Sequence, residues 1–178
     1  VSYISSSLMR VIITAQPNRS SIAFAFILSY IEMLLPLQVG IPGVKLGLAN
    51  MAVLLCLYLF DPFSAFLLTV SKAVLTGFLF GNLSMIIYSL AGAIFSFIVM
   101  LLLKKSGRFH IPVISAIGGV AHNTAQLLIA YFMIETYAII YYVPILIISG
   151  LVTGILIGIT VNLLLPLLRK VINRGGNL

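Results

Sequence analysis

Pro62-Phe-Ser-Ala-Phe-Leu-Leu-Thr-Val-Ser-Lys-Ala-Val-Leu-Thr-Gly-Phe-Leu-Phe80 is an apolar run with one ammonium group, Lys72, near its middle. A helix crosses about 30 Å of hydrocarbon in roughly 20 residues, so the run reads as a transmembrane helix. A cation at that depth is costly without an anionic partner, a wet cavity or a ligand, and Lys72 therefore marks a site by default. The remainder of the chain supplies the membrane. Hydrophobic residues make up 62% of 178 and charged residues 7%, with a mean hydropathy of +1.24. A soluble domain of this size could not bury so much apolar surface.

Outward from this run, five more stretches have the length and composition of spans, giving Ser21–Leu37, Val44–Phe60, Pro62–Phe80, Leu83–Leu103, Ile111–Ile134 and Ala138–Leu168. The last is over-long, and Pro144 and Pro166 suggest that its ends lie outside a straight span. A five-span count, with the second and third runs forming a hairpin that does not fully cross, is the alternative. The expected architecture is all-α, a compact bundle of six transmembrane helices over residues 21–170. Residues 1–20 form a tail or interfacial segment and residues 171–178 a second tail. Connections at Asp61-Pro62 and Gly81-Asn82 are short enough to make their flanking helices antiparallel neighbours. Leu35-Pro-Leu-Gln-Val-Gly-Ile-Pro-Gly43 contains two prolines and two glycines, which forbid a continuous helix and predict an ordered, partly embedded loop.

The net charge of +7 arises from ten Lys and Arg against three acids, Glu32, Asp61 and Glu135. Arg10, Arg19, Lys104, Lys105, Arg108, Arg169, Lys170 and Arg174 lie between or beyond the apolar runs, as topology-setting cations do. With six spans they all fall on one side, which makes that side, and both termini, cytoplasmic. The aromatic residues sit inside the apolar runs and not among the cations, so a nucleic-acid interface is excluded. Cys56 is the sole cysteine, which leaves no intrachain disulfide and no cysteine-cluster metal site. Val1 to Ser20 is too mixed and polar for a cleavable signal, and a multi-pass protein of the cell membrane is expected.

The polar residues are biased in depth. Lys45 and Asn50 fall in the outer half of the second run and Lys72 near the middle of the third. Asn82, Ser84 and Tyr88 open the fourth from outside, and His122, Asn123 and Gln126 occupy the middle to outer part of the fifth. Together they predict an outward-facing pocket beneath the Pro36 to Gly43 loop. Cations, amides and a histidine suit an anionic or carboxylate-bearing small molecule. Each residue also has a plainer reading. Lys72 can pair with Glu32 and serve packing, Lys45 can snorkel to the interface, and His122 can be a hydrogen-bonded interior residue, although it shares a helical face with Gln126. Asn162 reads as interhelical glue. Small residues recur every fourth position at Ser21, Ala25 and Ser29, and again at Gly150, Gly154 and Gly158, which allows close helix approach in lipid.

Ile41-Pro-Gly-Val-Lys-Leu-Gly-Leu-Ala-Asn50, followed by Ser71-Lys72, Phe80-Gly-Asn-Leu83 and Tyr88-Ser-Leu-Ala-Gly92, resembles the Gx transporter family, which also carries the description heptaprenyl diphosphate synthase component I. The resemblance runs from about Ser21 to Leu168. That family in turn is similar to the substrate-binding S components of energy-coupling-factor (ECF) vitamin transporters, six-helix proteins with both termini inside. The resemblance implies that Lys45, Asn50, Lys72 and Asn82 line or gate the site and that the Pro36 to Gly43 segment is the closing outer loop. It also implies that Ser21, Ala25 and Ser29 occupy the place of the alanine-rich stripe that docks the transmembrane partner. The stripe here is Ser/Ala/Ser, a departure from that pattern.

The synthase description meets a chemical objection, since prenyl synthases hold Mg²⁺ and diphosphate with aspartate clusters. One aspartate, Asp61 in a turn, cannot build such a site. The expected function is thus a non-enzymatic substrate-binding component without a cofactor. It would capture a small anionic nutrient or cofactor precursor in the membrane for uptake driven by ECF transmembrane and ATPase subunits, because this chain has no Gly-Lys-Ser/Thr phosphate loop. The alternative is a non-catalytic subunit in isoprenoid, quinone or flavin-linked redox metabolism. An intramembrane enzyme using His122 lacks any accompanying nucleophile motif.

Overall fold

Backbone amides in hydrocarbon have no water to pair with, so spanning segments must satisfy their hydrogen bonds internally as helices. The computed structural model describes residues 48–80, 83–134 and 137–175, and these are helical apart from short turns. The helices are α1 (Leu48–Leu59), α2 (Pro62–Phe80), α3 (Leu83–Ser106), α4 (Ile111–Ile134) and α5 (Val143–Gly175), with a 3-10 segment, Tyr137–Tyr142, leading into α5. Three segments are long and apolar enough to cross a membrane, Leu83–Ser106, Ile111–Met133 and Ile140–Lys170, and α1 and α2 contribute the shorter apolar stretches Asn50–Leu59 and Pro62–Leu75. Large apolar side chains such as Phe78, Leu102 and Leu163 are exposed around the outside, where lipid and not water is their solvent. The chain is a multi-pass membrane protein. The expected first run, Ser21–Leu37, and the loop from Leu35 to Gly43 lie outside the described residues.

Successive helices run antiparallel, so one end of the bundle gathers the turn at Asp61, the loop at Gly107 to His110 and the distal part of α5. The buried core lies toward this end. Leu54 and Leu57 of α1, Leu68 of α2, Phe97 and Met100 of α3, Ile114 of α4 and Val161 and Leu165 of α5 form one cluster. Two local signals set the turns. Asp61 caps α2, its carboxylate accepting from the Ser64 amide at 2.8 Å and the Ser64 hydroxyl at 2.6 Å, with Pro62 at the first helical position where a missing N–H costs nothing. Gly107 ends α3 in the left-handed region at φ 67°, a conformation that costs a residue with a Cβ and not glycine.

The seam between α4 and α5 is built on glycines. A Cβ at Gly150 would lie 2.7 Å from the Gly119 carbonyl oxygen, one at Gly154 would lie 2.6 Å from the Ser115 carbonyl oxygen, and one at Gly158 would lie 2.5 Å from the Pro112 Cα. The three therefore face α4 backbone at one register, with residue numbers falling along one helix as they rise along the other. The stripe seen in the sequence is thus internal packing. Asn123 locks the same seam, its amide donating to the Leu146 carbonyl at 2.7 Å.

The last run is over-long at its start, as Pro144 suggests: the α-helix begins at Val143, the preceding residues are wound as a 3-10 segment and Pro144 takes its place in the first turn. The expectation for Pro166 is corrected. At the other end the helix continues through Pro166 to Gly175. Pro166 is exposed while its neighbours Val161 and Leu165 are buried, so packing holds the turn despite the lost backbone bond. Asn162 is also exposed, and its side chain makes no hydrogen bond to another helix among the described residues, so it is not interhelical glue.

The seam predicts that Gly154→Leu, which must push α5 off α4 backbone, lowers stability by about 1–3 kcal/mol, read as a drop in the unfolding midpoint of the detergent-purified protein. Leu156→Ala on the exposed face should change it by no more than about 0.5 kcal/mol. The Asp61 cap predicts a pH effect. Hydrogen bonds from Ser64 hold the Asp61 carboxyl below its ordinary value of 3.8, so its contribution is complete above that value and is lost as pH falls through the lowered one. Wild type should lose more stability than Asp61→Asn between neutral pH and pH below about 3, as measured by thermal unfolding.

Candidate binding site

Depth comes first, because a polar group is informative only where water is scarce. Asn50 lies nine residues before Leu59 on α1, and Lys72 ten residues after Pro62 on α2. At about 1.5 Å per residue both stand roughly 14–15 Å from their shared turn, near the middle of a bilayer core of about 30 Å. His122, eleven residues after Ile111, reaches roughly the same level on α4. The antiparallel topology thus carries three separate stretches of sequence to one depth.

At that depth the side chains meet. The Lys72 ammonium donates a short hydrogen bond to Asn50 Oδ1, joining α2 to α1. Lys72 also lies within electrostatic reach of the His122 ring, and the ring packs against Gly92 on α3. Gly92 is what lets α4 approach, since a Cβ there would lie 2.7 Å from Gln126 Cγ and 3.1 Å from His122 Cε1. His122 and Gln126, four residues apart, share the α4 face that rests on α3. Tyr88 stands one turn from Gly92 on α3, is partly buried, and shares that residue's face.

The predicted site residues therefore divide. Lys72 pairs with Asn50 and lies within electrostatic reach of His122, while His122 and Gln126 rest against Gly92, one turn from Tyr88. Asn123 is turned instead to the α4–α5 seam, where its amide holds the Leu146 carbonyl. Lys45, Asn82, Glu32, the Pro36 to Gly43 loop and the Ser21, Ala25, Ser29 stripe lie outside the described residues. Gly92 was not singled out as a site residue, although it closes the Tyr88-Ser-Leu-Ala-Gly92 motif. Its signal was a small residue one turn beyond Tyr88, which gains meaning only when the facing helix is known.

Chemically, the described part of the site offers an ammonium, two side-chain amides and an imidazole. An ammonium offers only donors, while amides and imidazole can donate or accept. Such a set answers a ligand that carries negative charge and acceptor oxygens. Among the described residues no group of three or more His, Cys, Asp or Glu is placed to hold a metal ion.

Comparison with protein families matches residues 22–164 to the family described as heptaprenyl diphosphate synthase component I. No curated protein matches the chain, and no solved structure does. The matched span takes in α1 to α4 and most of α5, together with Asn50, Lys72, Gly92, His122 and Gln126. The chain belongs to the heptaprenyl diphosphate synthase component I family.

Proposed function

We infer that this chain is the substrate-binding membrane component of an ECF-type transporter, capturing a small anionic nutrient or cofactor precursor from outside the cell membrane. The observation that carries the reading is the mid-depth junction of Lys72, Asn50 and His122 on three helices. A fixed cation with amides at one level inside hydrocarbon is the arrangement an anionic ligand requires, and few purely structural needs call for it. In this reading the chain has six spans with both termini cytoplasmic, and Lys45 and Asn82 complete the site. Ser21, Ala25 and Ser29 dock the transmembrane partner, and an ATPase module drives uptake. The chain itself is not an enzyme.

The family's description favours a second reading, a non-catalytic subunit that binds a prenyl or quinone-like lipid in isoprenoid or redox metabolism. The two differ in what the pocket holds. Native mass spectrometry of the detergent-purified protein should reveal a co-purifying polar anion under the receptor reading. A prenyl or quinone lipid, or phospholipid only, would favour the subunit reading.

Once that anion is known, Lys72→Ala should weaken its binding about 10- to 100-fold, the worth of a charge-assisted contact, with the helical circular-dichroism signal retained. Unchanged affinity in the folded variant would overturn the assignment of Lys72 to the site.

A further inference from the structure

The end of the bundle that carries Asp61 holds a second cationic feature, separate from the ligand site. Lys104, near the end of α3, donates to the Leu57 carbonyl of α1, and its ammonium lies 5.0 Å from the centre of the Tyr58 ring. Arg169 of α5 reaches the next carbonyl, that of Tyr58, at 3.5 Å. Two cations from different helices thus converge on consecutive carbonyls at the end of a third, close enough to repel one another.

Helix capping explains part of this arrangement, since cations stabilise the last turn of a helix. It does not balance the charge. A helix C-terminus presents about half a negative charge, against two full positive ones. No carboxylate lies within ion-pair distance of Lys104 or Arg169 among the described residues. Asp61, the acid in the neighbouring turn, bonds Ser64 through both oxygens and makes no ion pair with either cation among the described residues. An ammonium has three N–H donors and a guanidinium five, so donors remain after the carbonyl contacts.

The surroundings identify what would neutralise this excess. Leu102, two residues before Lys104, is 62% exposed, and Leu163 and Leu167, before Arg169, are 65% and 58% exposed. The paired cations therefore sit where apolar, chain-facing surface gives way to the exposed residues Lys105, Arg108 and Lys170. That is the level of a phosphate headgroup whose acyl chains lie against α3 and α5. We propose that Lys104 and Arg169, converging on the end of α1, form a specific binding site for the phosphate headgroup of an anionic membrane lipid.

The test is native mass spectrometry of the full chain, titrated with phosphatidylglycerol or with phosphatidylcholine. Wild type should retain one phosphatidylglycerol in preference to phosphatidylcholine. The double variant Lys104→Gln, Arg169→Gln should bind it about 30-fold more weakly, the cost of two interfacial cations. Lys105→Gln, Lys170→Gln removes the same charge from exposed positions and should retain the tight site, and Lys104→Arg should preserve it. Equal loss in the two double variants, or no preference between the lipids in wild type, would overturn the proposal. Displacement of the lipid by millimolar inorganic phosphate would overturn it as well, by assigning the site to a free anion. Thermal unfolding in lipid-free detergent checks that each variant is folded.

Discussion

The approach of α4 to α5 at Gly119 and Gly150 is the contact on which the placement of everything else depends. Lipid tails are as apolar as leucine, so helices in a bilayer gain little by hiding hydrophobic surface from one another and associate where backbones can come close. Neither glycine has room for a Cβ, and the same is true of Gly154 and Gly158 one and two turns further along. A stripe of this kind fixes both distance and register. Sliding α5 by one residue would carry its bulky neighbours into the seam, as a ratchet does. With α4 so fixed, one of its faces is committed to α5 through Asn123, and His122 and Gln126 are turned to α3.

The energetics of Lys72 follow from that frame. Inserting a lysine at the centre of a spanning helix costs about 2.5–3.5 kcal/mol on insertion scales, and a hydrogen bond to a charged group returns about 1.5–3 kcal/mol. The bond to Asn50 offsets much of the cost without making the position favourable, and Lys72 has a further interaction besides it. A lysine at a position that is near neutral when partnered, within electrostatic reach of His122, is poorly explained as a device for stability. Leucine there would serve packing better.

What was legible in the sequence was governed by local physics. The bounds of α2 and α4 follow from proline, aspartate and the length of apolar runs, and the helices begin and end where those signals stand. The distance of Asn50, Lys72 and His122 from the turns of their helices was legible too, because it is a count of residues. Direction around the helix was not. His122 and Asn123 are adjacent in sequence and equally polar, yet one meets Gly92 and the other the Leu146 carbonyl. Only the register of α4 between its two neighbours separates them. Pro166 misled for a similar reason. Its local effect is to break a helix, and the burial of Val161 and Leu165 around it overrides that effect.

The polar level and the charged end are separated by the core itself. Ala52 to Leu57 on α1, Ala65 and Leu68 on α2, Phe97 and Met100 on α3, Ile114 on α4 and Val161 and Leu165 on α5 all lie between Lys72 and the end that carries Lys104 and Arg169. Of the buried hydroxyls in this layer, Ser64, Thr69, Ser96 and Ser115, the first three are committed to protein partners. Ser64 bonds Asp61, Thr69 bonds the Ala65 carbonyl, and Ser96 bonds the Gly118 carbonyl at 2.7 Å. A charged ligand crossing the layer would exchange water for hydrocarbon with little compensation, at a cost of several kcal/mol. Under the receptor reading proposed above, the described helices would hold a ligand over this dry layer, and delivery to the far side would require them to be moved by a partner.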